Sequence, residues 1–122
     1  MVDVYAKEYN LDSKLILALI SKESSFRPNA VSSSGAVGLG QLLKQTAKDM
    51  GIKDPYNPEE NIKATTKYLS ILIKKWNGNI NLALASYKIG HGNVTRLVKA
   101  GDELPLSTKK YIKEIITAQS KI

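Results

Sequence analysis

Glu23 stands where a helix would otherwise bury a leucine. Leu15, Leu19 and Glu23 recur at four-residue steps, with Ile16 and Ile20 beside them. Residues at that spacing share one side of a helix. A carboxyl group on an apolar face is costly unless something uses it. Two effects act on it in the same direction. Burial against Leu19, Ile20 and Phe26 disfavours the ionised form, and the last turn of a helix adds the negative end of the macrodipole. A carboxyl still protonated near neutral pH is what a general acid requires. The competing outcome for a glutamate at a fraying helix end is to turn outward into water. This segment alone leaves both open.

Other chemistries have few residues to work with. There is no cysteine, which removes disulfides, thiolate metal sites and cysteine nucleophiles together. The single histidine, His91, argues against a multi-histidine metal site or a Ser-His-Asp triad and reads as a surface or turn residue. No metal or cofactor is expected. Asp49, Asp54, Glu59 and Glu60 fall in helix-end or capping contexts, so no second catalytic acid stands out. Eighteen Lys and Arg against eleven Asp and Glu give a net charge of +7. The lysines are dispersed, with denser groups at Lys74-Lys75 and Lys109-Lys110. Such a balance favours an anionic partner (nucleic acid, a membrane surface or an acidic wall polymer), or serves solubility alone.

Positioning Glu23 falls to helices. The 122 residues are read as one domain spanning 1–122, all-α, with short connections. A segment from Val2 to Tyr9 precedes a turn, and Asp12 caps a helix over Ser13 to Ser24. Phe26-Arg27-Pro28-Asn29 stops it, because a residue before proline avoids helical geometry. The stretch SSSGAVGLG (32–40) mixes serine and glycine with Ala, Val and Leu, as a loop packed against something would. Helical pattern resumes from Gln41 to Met50 and stops at Gly51. Asn57-Pro58-Glu59-Glu60 is a strong helix start. The helix that follows buries Ile62, Leu69, Leu72, Ile73 and Trp76 and ends at Asn77-Gly78. Helices near 80–89, 92–100 and 107–119 complete the set. The longest apolar run, LILALI, is far too short to span a membrane. MVDVYAKEYN carries two acids and no apolar h-region, so a secretory signal is not expected. The chain would then be cytoplasmic, cut from a longer protein, or exported by another route.

The stretch from 23 to 47 adds context. Glu23, Ser24, Phe26, Asn29, Ser32, Gly35, Ala36, Gly38, Leu39, Gln41, Thr46 and Ala47 fall in register with a pattern. It runs Glu-Ser-x-Phe, then Asn-x-x-Ser-x-x-Gly-Ala-x-Gly-Leu-Met-Gln, then Thr-Ala. Ala85-Ser86-Tyr87-Lys88-Ile89-Gly90, with Gly92 and Val94, is similar to Ala-Tyr-Asn-Ala-Gly-x-Gly-x-Val. Leu104-Pro105-Leu106-Ser107-Thr108, then Tyr111-Ile112, is similar to Leu-Pro-x-Glu-Thr-x-x-Tyr-Val. In these three segments the chain resembles the lytic transglycosylases with a goose-lysozyme-like domain. The resemblance implies a compact lysozyme-like helical fold with a substrate groove, acting on peptidoglycan glycan strands. It implies cleavage of the β-1,4 bond between N-acetylmuramic acid and N-acetylglucosamine to a 1,6-anhydro product, with Glu23 as acid and then base. Ser32 and Gln41 would hydrogen-bond the sugar, and Leu43 would pack beside the cleft. Tyr87 would hold its hydroxyl near Glu23, and Tyr111 would wall the same region. No nucleic acid, no membrane span and a monomer are expected, with action in the cell envelope or outside the cell.

Four positions depart from that pattern. Gly40 replaces a methionine expected to line the cleft, Lys88 an asparagine, Ile89 an alanine and Ser107 a glutamate. A cation close to Glu23 would favour its ionised form. Lys88 is therefore expected to point away from Glu23 and meet a lactyl or stem-peptide carboxylate of the substrate. Two rival functions are carried forward. One is a hydrolase of the same fold that adds water, and the other is a noncatalytic basic module binding cell wall or nucleic acid.

Overall fold

The computed structural model describes all residues, 1–122, as seven helices and no strand. They are α1 (Val2–Glu8), α2 (Ser13–Ser24), α3 (Lys44–Asp49), α4 (Pro58–Lys75), α5 (Ile80–Ile89), α6 (His91–Ala100) and α7 (Leu106–Lys121). Local chemistry sets most of their ends. The Asp12 carboxylate accepts from the Lys14 amide at 2.9 Å, and Asn57 and Asn79 cap α4 and α5 through the Glu60 and Leu82 amides. Each satisfies a helix donor that would otherwise go unpaired. Gly101, at φ +71°, closes α6 in the left-handed conformation.

α2 keeps its expected bounds, but its stop has another cause: Ser25 and Phe26 both turn left-handed, at φ +52° and +61°, before the proline acts. The start of α3 differs from expectation. Gln41–Leu43 are not helical. Gln41 has φ +52°, and Leu42 exchanges both backbone hydrogen bonds with Val37, at 2.9 and 3.0 Å. That exchange fixes a tight reversal, so α3 starts only at Lys44. The buried Leu42 and Ala47 gave an apolar rhythm that imitated helix.

α2 runs through the middle of the molecule. Ile16, Leu19 and Ile20 are fully enclosed, together with Leu69 and Leu72 of α4, Leu84 of α5 and Ile115 of α7. Burying each such side chain stabilises by about 1.5–3 kcal/mol. Ile73 and Trp76 are only half-buried. Trp76 donates its indole N–H to Ser86 Oγ at 2.8 Å and stacks on His91, which keeps its polar edge satisfied at the rim of the core. No helix is long and apolar enough to cross a membrane.

The loop between α2 and α3 is fastened to α4 by one side chain. Asn61, fully buried, donates to the Pro55 carbonyl at 2.7 Å and the Val37 carbonyl at 3.3 Å. It accepts from the Gly40 amide at 2.8 Å and from Thr65 Oγ1 at 3.1 Å. All four of its hydrogen-bonding sites face partners. Such an approach needs glycine on the loop. A Cβ on Gly38 would lie 2.3 Å from Asn61 Nδ2, and one on Gly40 1.9 Å from Thr65 Oγ1. The Gly40 position therefore faces α4, not the cleft. The expectation that this position lines the cleft is corrected: Thr65 fills the space a side chain would take.

Candidate active site

A groove of about 360 Å³ opens where α2, α5 and α7 meet the glycine loop. Glu23, Ser32, Ser34, Ala36, Gln41, Leu43, Tyr87, Lys88 and Tyr111 line it. It runs on, past Gln41, Leu43, Tyr87 and Lys88, into a second hollow bounded by Thr46, Tyr68 and Gly90. Every site residue expected from the sequence lies on this one surface. Larger hollows elsewhere, along α7 and beside α3, each include lysines in their rims. None of them contains Glu23, Tyr87 or Tyr111.

Glu23 is the groove's only carboxyl group. It sits one residue before the end of α2, half-buried, with its side chain among the core-facing positions rather than out in solvent. Phe26 gives it no cover, being 52% exposed. The left-handed turn at Ser25 carries that ring outward, so the burial comes from other neighbours. Burial lifts the Glu23 carboxyl above the ordinary range. A hydrogen bond from the Tyr111 hydroxyl and the charges of Lys88 and Lys22 pull the other way, and burial prevails.

Both tyrosines line the groove beside Glu23, but only Tyr111 hydrogen-bonds it. Tyr111 of α7 donates its hydroxyl to Glu23 Oε2 across 88 residues of sequence. Tyr87 of α5 donates to the Gly40 carbonyl at 2.6 Å and tilts against Tyr68, ring centroids 5.5 Å apart. Tyr87 thus ties the loop to α5, while Tyr111 touches the acid. Both hydroxyls are held protonated, their acidity suppressed first by burial and then by the Glu23 charge.

The loop residues are partly committed to one another. Ser32 Oγ accepts from the Ala36 amide at 3.1 Å and pairs with Ser34 Oγ at 2.9 Å. The Gln41 amide nitrogen donates to the Ala30 and Gly38 carbonyls, both at 3.0 Å. Its carbonyl oxygen accepts no hydrogen bond within the protein, and the residue lines the groove. Leu43, half exposed, offers an apolar wall. Contrary to expectation, Lys88 does not point away from Glu23. Its ammonium lies over the Tyr111 ring, 4.9 Å from the centroid. A contact of this kind is worth about 0.5–1 kcal/mol at an exposed site. Ile89 lines the second hollow, and Ser107 lines neither.

Two residues that organise the site were missed in the sequence, Asn61 and Thr65. The signal was there: two polar residues four apart on the face of α4 that also buries Ile62 and Leu69. No cluster of three or more His, Asp or Glu side chains is arranged to hold a metal ion.

A family model described as the transglycosylase SLT domain matches residues 1–108. The membrane-bound lytic murein transglycosylase F of Desulfosudis oleivorans is 32% identical over 124 residues, covering 95% of this chain and 27% of that protein. A transglycosylase of Enterobacteria phage PRD1 is 37% identical over 83 residues, covering 68% of this chain and 31% of that protein. The X-ray structure of an inactive glutamate-to-glutamine mutant of lytic transglycosylase Slt from Pseudomonas aeruginosa superposes with a TM-score of 0.87. It is 30% identical and covers 97% of this chain and 22% of that one. The chain spans less than a third of each relative's length. Its all-α architecture is the lysozyme-like fold of these enzymes.

Proposed function

This chain belongs to the transglycosylase SLT domain family, and from that premise we propose that it is a peptidoglycan lytic transglycosylase with Glu23 as its one acid and base. The protonated Glu23 carboxyl gives its proton to the glycosidic oxygen as the bond to the anomeric carbon of N-acetylmuramic acid breaks. The muramyl 6-hydroxyl oxygen then bonds to that carbon and returns its proton to the Glu23 carboxylate. The products are a 1,6-anhydro end and a free N-acetylglucosamine hydroxyl. No water is consumed, and Glu23 ends as it began.

One observation carries this reading: the groove has a single carboxyl group. A hydrolase of the usual kind places a second carboxylate about 5–9.5 Å from the acid to attack or to activate water. Here the groove offers Tyr111 and Tyr87 instead. Tyr111 donates to the ionised form of Glu23, so it stabilises the carboxylate left after the first proton transfer and fixes its orientation. Ser32 and the Gln41 carbonyl oxygen would bind sugar hydroxyl or acetamido groups, with Leu43 against the ring face. Residues 1–122 would act as one catalytic unit at the cell wall, whether within a longer envelope protein or in a phage particle. The relatives named above include both kinds.

The test is the mass of the products from purified sacculi. Anhydro ends, lighter by one water than reducing ends, are expected from the native chain and not from Glu23→Gln. Reducing ends would establish hydrolysis instead. Retention on sacculi with no bond cleaved would leave only a binding module.

A further inference from the structure

Lys88 is the only cation on the groove wall, and it holds nothing negative. The ion pairs of this protein are made by Lys22, Lys109 and Lys110. Lys88 is exposed and in contact with the Tyr111 ring. An ammonium resting on a ring face keeps its three N–H donors free for a stronger acceptor. Hydrogen bonds to an ionised acceptor are about twice as strong as neutral ones, so a carboxylate entering the groove outcompetes the ring. The substrate class supplies one. The lactyl ether of N-acetylmuramic acid ends either in its own carboxylate or in a peptide that bears carboxylates.

We propose that Lys88 rests on Tyr111 only while the groove is empty and leaves it for a carboxylate on the muramyl substituent, so that strands carrying that charge are cleaved in preference. This rests on the glycan-cleaving reading above. Departure of Lys88 has a consequence for the acid. The charged and titratable groups facing Glu23 are Lys22 of its own helix, Tyr111 of α7, and Tyr87 and Lys88 of α5. The loop adds only the neutral Ser32, Ser34 and Gln41. Lys22 is already held by Glu114, and the tyrosines are hydrogen-bonded. Lys88 is the charge free to move. Once a substrate carboxylate neutralises it, Glu23 keeps its proton to higher pH, at the moment the proton is needed.

Three polymers test this: peptide-bearing strands with free carboxylates, the same strands amidated, and denuded strands with free lactyl carboxylates. For the native chain, kcat/KM should favour at least one carboxylate-bearing form over the amidated one by about tenfold. Preference for the denuded form identifies the lactyl group, and preference for the peptide-bearing form identifies the stem. Lys88→Met should bring the ratio near one, and Lys88→Arg should retain it. The alkaline limb of kcat, which reports the complex, should lie above that of kcat/KM, which reports the free enzyme. The gap should close with amidated strands or Lys88→Met. Co-sedimentation of Glu23→Gln with the three polymers, with and without Lys88→Met, reads the same preference without turnover. Equal handling of all three polymers, or a preference that survives Lys88→Met, overturns the proposal. A Lys88-dependent binding preference without any anhydro product would sustain the contact between Lys88 and the carboxylate and overturn the cleavage reading.

Discussion

Asn61 and Glu23 are both polar side chains taken out of water, and they are treated in opposite ways. Asn61 is fully buried and neutral, and every donor and acceptor on its side chain is matched within two loops and one helix. Glu23 is half-buried with one hydrogen-bond donor, and its burial works against its charge. A saturated polar group fixes geometry. An under-satisfied one stores a tendency to take up a proton, which is a reagent. The clamp gives the groove its shape and the acid gives it chemistry, so changes at the two should separate stability from rate.

The largest effect expected is at the acid. Glu23→Gln should lower release of anhydro products by about 10²–10⁴-fold, the range contributed by a positioned acid or base, while the thermal midpoint stays or rises. A midpoint that collapsed with the rate would break the comparison, because it would make Glu23 structural. Next comes the clamp. Asn61→Ala strands the Gly40 amide and the Pro55 carbonyl, at about 1–3 kcal/mol for a buried group left unpaired. Chemical denaturation should show that loss, with activity falling only as far as the loop is displaced.

Gly40→Ala sharpens the same side. Its new Cβ would collide with Thr65, and overpacking of this kind costs about 1–3 kcal/mol. The change also disturbs the carbonyl that receives the Tyr87 hydroxyl. A variant as stable as the parent would show that the loop gives way easily. Tyr111→Phe acts on the other side. It removes a hydrogen bond that favours the ionised Glu23, so the carboxyl should rise further and the alkaline limb of the rate should move to higher pH. A limb that stayed in place would show that this contact does not tune the acid.

The smallest effect is a sign. Glu23 is raised in the folded chain, so it holds its proton more tightly there than when unfolded. Its contribution to stability is most favourable below the unfolded value. That contribution is lost as pH rises through the folded value. Glu23→Gln should therefore gain on the parent in thermal midpoint between acidic and neutral pH. Asp12 and Glu114, lowered by hydrogen bonds and lysine charges, run the opposite way and lose their contribution as pH falls. A midpoint difference flat across this range would show that burial does not govern Glu23.

Much of the fold was legible because its signals are local. Asp12 and Asn57 announced α2 and α4 through side chains that reach amides two or three residues ahead. The α2 apolar stripe announced which side would be buried. Gln41–Leu43 failed for the same reason in reverse. An apolar rhythm looked helical, but Leu42 meets its partner, Val37, across a reversal that no periodicity marks. Phe26 read as cover for Glu23 because spacing says nothing of the left-handed turn at Ser25.

The sequence by itself determined that one carboxyl shares a helical face with Leu15 and Leu19, and that no cysteine chemistry or histidine cluster could compete with it. Those facts depend on residue type and on spacing within a single helix. Only the tertiary structure decided that Tyr111 and not Tyr87 meets Glu23, that Lys88 lies against that tyrosine, and that Gly40 faces Thr65. Each of these depends on how separate elements dock. The angle at which α5 and α7 pack on α2 decides which hydroxyl arrives, and that angle is set by the whole core at once, not by any segment of the chain.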